Sequence, residues 1–291
     1  MAVPTSAKRY SGRLFTPADV EQIRALIQAH PQASRQRLSY LICEAFDWRK
    51  ADGSWKDMSC RVALLRMHRA GWIELPAPRH KVNPLRSFAR RSAEAEPRAL
   101  FEAPVRALGA LRLEPVQRHN SALWNEYIDR YHYLGYKPLP GAQLRYFATA
   151  GERVVGLFGF GAAAWKTGPR DAWIGWSREQ RQRNLSGVVN NARFLILPWI
   201  RVPGLASKLL SRVSKVLAQD WAERYGYRPV LLESFVEAER FAGTCYRAAN
   251  WTCVGHTRGR GKLGDHRLGQ VPVKTVWVYP LAKDFRAQLL R

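Results

Sequence analysis

Acidic side chains are scarce in this sequence, so those set among basic or aromatic residues are the first place to look for chemistry. Asp129, Asp171, Glu233 and Glu237 lie in such surroundings. Cleaving a phosphodiester calls for two or three carboxylates converging on Mg²⁺ or Mn²⁺. Asp171 and Glu233 are the first choices as catalytic residues and metal ligands. Glu233 follows the apolar run 230–232, which places it at a strand end, where sites gather in α/β sheets. The competing reading is that Glu233 pairs with one of the many arginines, Arg193 among the choices. A tyrosine nucleophile is a second route, because Tyr127, Tyr131, Tyr133 and Tyr136 lie near His119 and His132. Trp165, Trp173, Trp176 and Trp199 are dense enough to stack exposed bases. Aromatic residues at helical spacing are nevertheless more often core.

The basic residues describe a partner. There are 47 Lys and Arg against 23 Asp and Glu, a net charge of +24, which attracts any polyanion. DNA is the leading partner, with RNA left open and a defence helicase or nuclease as a protein partner. Lys56, Arg61 and Arg66 fall on a predicted third helix, with Ser54 and Ser59 beside them, as a DNA-reading helix requires. Arg193 sits in a predicted strand. Lys208, Arg212 and Lys215 recur every three or four residues on a long helix and form one cationic line, a solvated face or a phosphate track. Arg258, Arg260 and Lys262 alternate with glycines, giving a flexible, donor-rich loop that continues to His266 and Arg267.

Three groups of elements must hold these residues. Over 13–76, Thr16 with Pro17 and Asp19 starts a helix carrying Val20, Ile23, Leu26 and Ile27. Ser34 caps a second helix, with Leu38, Leu41, Ile42 and Phe46 on its stripe. The third helix, 56–70, turns Met58, Val62, Leu65 and Met67 inward, and a strand at 72–75 follows. That order predicts an N-terminal winged helix-turn-helix. Residues 77–118, rich in Pro, Ala and Arg, read as a basic linker. From 119 to 291 strands alternate with helices: strands at 144–149, 154–163, 188–200, 230–236 and 274–279, and helices opening at Gly204 and spanning 238–249. The overall class is α+β, with a partly parallel sheet covered by helices in the second domain.

No apolar run is long enough to span a bilayer and the first residues are polar, so the expected location is the cytoplasm, with no membrane partner. Cys43, Cys60, Cys245 and Cys253 stand singly, without zinc-ligand spacing, and read as reduced thiols.

Two resemblances sharpen this reading. Arg201-Val202-Pro203-Gly204-Leu205-Ala206, between a strand and a helix, resembles the loop with which GNAT acyltransferases hold coenzyme A pyrophosphate on helix N-terminal amides. Tyr246 through Trp251 is similar to the end of the fourth GNAT helix. The resemblance implies a GNAT-like mixed α/β domain. Under an acyltransferase alternative acting on nucleic acid or an associated protein, Arg201, Gly204 and Ala206 would bind acetyl-CoA and Tyr246 would protonate the thiolate. Pro203, lacking an amide donor, and Asn250, in place of glycine, depart from the pattern.

The whole chain is similar to the DruA-like proteins of the Druantia anti-phage system, through segments 56–61, 131–135, 170–176, 189–194, 232–235, 243–251 and 259–261. That resemblance implies action on foreign or mobile DNA. It leaves three functions open: a DNA-processing, nuclease- or transposase-like enzyme, the acyltransferase, and a non-catalytic DNA-binding adaptor.

Overall fold

The computed structural model describes residues 6–50, 53–77, 91–259 and 272–291. The chain divides into two compact units, residues 1–86 and 87–291.

In the first unit a hairpin of β1 (Lys8–Tyr10) and β2 (Arg13–Phe15) leads into three helices: α1 (Pro17–Ala29), α2 (Arg35–Ala45) and α3 (Asp57–Arg69). The capping box forms: the Thr16 hydroxyl accepts from the Asp19 amide and the Asp19 carboxylate accepts from the Thr16 amide. Ser34 caps α2. Val20, Ile23, Leu38, Ile42, Leu64 and Met67 close around Phe15 and Trp48.

Two features differ from the sequence reading. Residues 72–75 form no strand, and among the described residues the strands of this unit precede α1 rather than follow α3. Ile73 and Leu75 are buried as an irregular segment, held where the Arg24 and Arg35 side chains donate to the Trp72 and Pro76 carbonyls. The buried stripe of α3 is Cys60, Ala63, Leu64 and Met67, while Met58 and Val62 are 56% and 42% exposed. Both sets fit a helical period, and contact with α2 selects the first.

The second unit is built on a seven-stranded sheet. In chain order its elements are β3 (Phe101–Glu102), β4 (Leu111–Pro115), α4 (Ser121–Tyr131), β5 (Gln143–Ala150), β6 (Arg153–Ala162), α5 (Gly168–Ile174) and α6 (Arg178–Asn184). There follow β7 (Val188–Ile196), β8 (Ile200–Arg201), α7 (Leu205–Tyr225), β9 (Leu231–Glu237), α8 (Thr244–Ala248), β10 (Thr252–His256), β11 (Lys274–Pro280) and α9 (Phe285–Leu289). The sheet order is β10-β11-β9-β7-β6-β5-β4, and β3 pairs separately with β8. Every neighbour in the large sheet is antiparallel except β7 and β9, which the α7 crossover makes parallel. This is a mixed seven-stranded sheet within an α+β protein.

Alternation along β5 assigns the two faces. Arg145 reaches Asn125 and Ser121 of α4, whereas the Tyr146 hydroxyl reaches Asp220 of α7. The buried stripe of α7 is Leu205, Leu209, Val213, Leu217 and Trp221, as its spacing predicts.

The sequence reading is corrected at three further places. Residues 101–115, within the expected linker, supply β3 and the edge strand β4. The strand expected over 188–200 stops at Ile196; Pro198 in the following turn has no ladder donor to offer. The helix expected over 238–249 is confined to Thr244–Ala248. Gly243 sets that limit: its φ is +69°, and a Cβ there would lie 2.4 Å from the Trp277 ring.

Candidate functional site

The sheet is two half-sheets joined at one short seam. β7 and β9 pair over four positions, from Val188 with Leu231 to Asn191 with Ser234; beyond them β7 continues to Ile196 beside β6 and β9 to Glu237 beside β11, no longer paired with each other. Just past the seam, Arg193 pairs with Gly159 and Asn191 with Phe160, leaving Ala192 as an extra residue on β7. This bulge turns Asn191 and Arg193 to opposite faces.

On the α7 face, Tyr246 of α8 closes the seam. Its hydroxyl meets the Ser234 hydroxyl at 2.9 Å and the Asn191 amide nitrogen at 3.3 Å. Phe194, Trp251 and Trp277 surround its ring. Burial pushes the phenol well above its usual range, so it holds its proton.

On the other face lies the carboxylate pair. Glu233 is fully buried, and Arg170 of α5, equally buried, donates to it at 2.7 Å. The Ala164 amide donates to the second Glu233 oxygen at 2.7 Å. Arg170 also grips Asp171, at 2.7 and 2.9 Å. Arg181, Trp176 and the Thr167 amide take the remaining acceptor positions of Asp171. The guanidinium therefore stands where a divalent cation would have to stand between the two carboxylates. Asp171 and Glu233, expected as metal ligands, are joined by Arg170 into an ion-paired strut, so the arginine that meets Glu233 is Arg170. Among the described residues no group of three or more His, Cys, Asp or Glu converges on a point.

The loop 201–206, between β8 and α7, is the segment that would hold a coenzyme A pyrophosphate. Gly204 adopts φ +80° and opens the long helix α7, as the resemblance requires. However, Arg201 pairs with Glu102 at 3.3 Å, and that carboxylate shares with Arg201 and Pro203 the lining of the adjacent cavity of about 650 Å³. An acidic group at the mouth and a proline without an amide do not suit a pyrophosphate. Ala206 lies in the first turn of α7, half-buried.

Lys208, Arg212 and Lys215 are exposed on α7 and, with Ser207, Ser211 and Ala248, line a groove of about 570 Å³ between α7 and α8. None of the three has an ion pair among the described residues. In the first unit Lys56 is half-buried, Arg66 is exposed, and Arg61 pairs with Asp57 at 2.7 Å. Arg258 lies just beyond β10, while Arg260, Lys262, His266 and Arg267 fall outside the described residues. Of the four tryptophans named for stacking, Trp165 is exposed, Trp176 and Trp199 are buried, and Trp173 stacks on Phe285.

Sequence reasoning missed a cluster beside the bulge. Arg193 is half-buried; among the described residues its Nε has no hydrogen-bond partner and its Nη1 donates to the Ala192 carbonyl. The bulge turns Arg193 to the sheet face that carries Glu233 and Glu237, and half-buried Lys274, cross-strand from Glu237, lies on that same face; the Arg193 charge acts both on Lys274 and on buried His132. His132 is pushed down to about 4 by burial, Arg193 and Lys274, in that order. Its Nδ1 accepts from the Leu134 amide at 3.2 Å, leaving Nε2 as the protonated nitrogen. Tyr133 stacks on His132, touches Phe241 edge-on and carries Arg240 over its ring.

The fold thus defines an α+β protein with a mixed seven-stranded sheet and a row of exposed cations on α7. A profile described as "Druantia protein DruA" matches residues 66–268, and the chain belongs to that family. None of the curated proteins matches it. Among solved structures it is similar to a putative acetyltransferase, yncA, from Salmonella typhimurium with acetyl-CoA (14% identity, 60% of this chain and 96% of that one, TM-score 0.37). It is also similar to the ribosomal-protein-S18-alanine N-acetyltransferase of Escherichia coli (8%, 60% and 95%, TM-score 0.37). A third is aminoglycoside acetyltransferase AAC(6')-Ib with coenzyme A (15%, 59% and 95%, TM-score 0.38).

Proposed function

We propose that this protein is a DNA-binding component of anti-phage defence that holds DNA for a partner helicase or nuclease and does not itself cut through a metal. The observation that carries the reading is the row Lys208, Arg212 and Lys215: three exposed cations on one helix face, lining one groove, with no acidic partner among the described residues. Cations so placed have a phosphate backbone as their natural complement. The Arg170 bridge argues against nicking, because removing its charge would be needed before a metal could enter between Asp171 and Glu233. In the first unit Arg66, Lys56 and the exposed Met58 and Val62 give α3 a mixed basic and apolar face suited to a groove.

The test is an electrophoretic shift of the full chain on duplex DNA, with Mg²⁺ or Mn²⁺ and a denaturing gel. Binding without new products is expected, and the triple change Lys208→Gln, Arg212→Gln, Lys215→Gln should weaken it about tenfold or more near 0.15 M salt. Cleaved strands, or an unchanged triple variant, would overturn the proposal. The acyltransferase alternative rests on the Tyr246 hydroxyl at the seam. Calorimetry with acetyl-CoA decides it, since absence of heat over a wide concentration range removes the cofactor.

A further inference from the structure

The cluster beside the β7 bulge has the makings of a ligand site. Three elements build it: β7 brings Arg193, the residues following α4 bring His132 and Tyr133, and the start of β11 brings Lys274. Gly159 makes room, because a Cβ there would lie 3.1 Å from both the Arg193 Cβ and the Trp124 ring. Neither Arg193 nor Lys274 forms an ion pair among the described residues. Glu237, the cross-strand neighbour of Lys274, is the nearby carboxylate, and it also faces Arg240 at 3.9 Å. Two half-buried cations are therefore held together with less than one full counter-charge, an arrangement that costs free energy until an anion enters. His132 offers an Nε2–H beside them. One side of the cluster is aromatic and open to solvent: Tyr133 is 37% and Phe241 46% exposed, packed edge to face at 5.5 Å. An anion-binding floor beside an exposed aromatic wall matches a group that is itself half phosphate and half planar ring.

We propose that this cluster lines a recess that binds a nucleoside phosphate, with the phosphate on Arg193 and Lys274 and the base against Tyr133 and Phe241. Within nucleic acid the occupant is one nucleotide of a single strand, or one turned out of a duplex, because a stacked base pair cannot present its ring face. Only that source rests on the DNA-binding reading above; the recess itself takes a free nucleotide equally well.

The test titrates the full chain with thymidine 5'-monophosphate, thymidine, inorganic phosphate and a short oligo-dT, in parallel with duplex DNA. The monophosphate is expected to bind and thymidine not to. Lys274→Gln and Arg193→Gln should each weaken the monophosphate and oligo-dT about tenfold or more. Tyr133→Leu and Phe241→Leu should weaken both by at least about fivefold while leaving inorganic phosphate unchanged. Lys274 lies at a strand end, so its variant keeps the test valid if Arg193→Gln fails to fold. Failure of the parent to bind the monophosphate, or unchanged binding by all four variants, would overturn the proposal. The two readings separate cleanly. Duplex binding that survives while the recess variants do nothing sinks only the recess, whereas nucleotide binding without any DNA binding sinks only the DNA reading.

Discussion

At the scale of single residues, the charges that matter are the ones removed from water. Arg170 and Glu233 are separated by 63 positions, and nothing in the local pattern of either announces the other. Composition did foretell that a rare carboxylate would meet an arginine; which arginine depended on α5 packing over the sheet. His132 is more tractable. Its folded form resists protonation down to about pH 4, against an ordinary value of 6.5. Between those values the unfolded chain binds a proton that the folded chain refuses. Stability contributed by the neutral imidazole is thus complete above pH 6.5 and declines as pH falls toward 4, by about 3 kcal/mol in all. Denaturant unfolding at pH 4.5, 5.5 and 7 should show a steeper decline for the parent than for His132→Asn. Parallel curves would mean that burial, with Arg193 and Lys274, does not keep the ring neutral as described.

At the scale of elements, caps and stripes were the readable features. Thr16, Asp19 and Ser34 fixed where α1 and α2 begin, and the stripe from Leu205 to Trp221 fixed α7, because each signal lies within one element. Elements defined by distant neighbours were opaque. β4 is a strand because β5 pairs with it, and residues 72–75 are not a strand because they have no partner in the described chain. The short α8 was overextended, since its limit is set by a ring from β11. That limit predicts that Gly243→Ala is costly: the backbone sits in the left-handed region and the methyl would meet Trp277 at 2.4 Å. A loss of about 2–4 kcal/mol is expected in chemical unfolding. A loss under about 1 kcal/mol would show that Trp277 yields freely.

At the scale of the whole molecule, the +24 charge was legible from the first reading and the metal site inferred beside it was not, because net charge says nothing about pairing. Binding driven by such a charge must be steeply salt-dependent. The logarithm of duplex affinity should fall linearly with the logarithm of salt, and the triple α7 variant should flatten that slope by about 2–3 if all three cations touch phosphate. An unchanged slope would move the contact elsewhere on the surface.

The four-residue seam between β7 and β9 bears on how such a protein can be cut and rejoined. All backbone pairing between the two half-sheets passes through positions 188–191 and 231–234, and the chain crosses between them by α7 and one exposed turn at Gly226. A break in that turn would leave two pieces, each with its own antiparallel strands, that meet along a short edge and a shared apolar layer of Ile174, Val188, Leu231 and Val278. Fragments 1–226 and 227–291, co-expressed, are therefore expected to reassemble the sheet across the break, and their co-elution on gel filtration would check it.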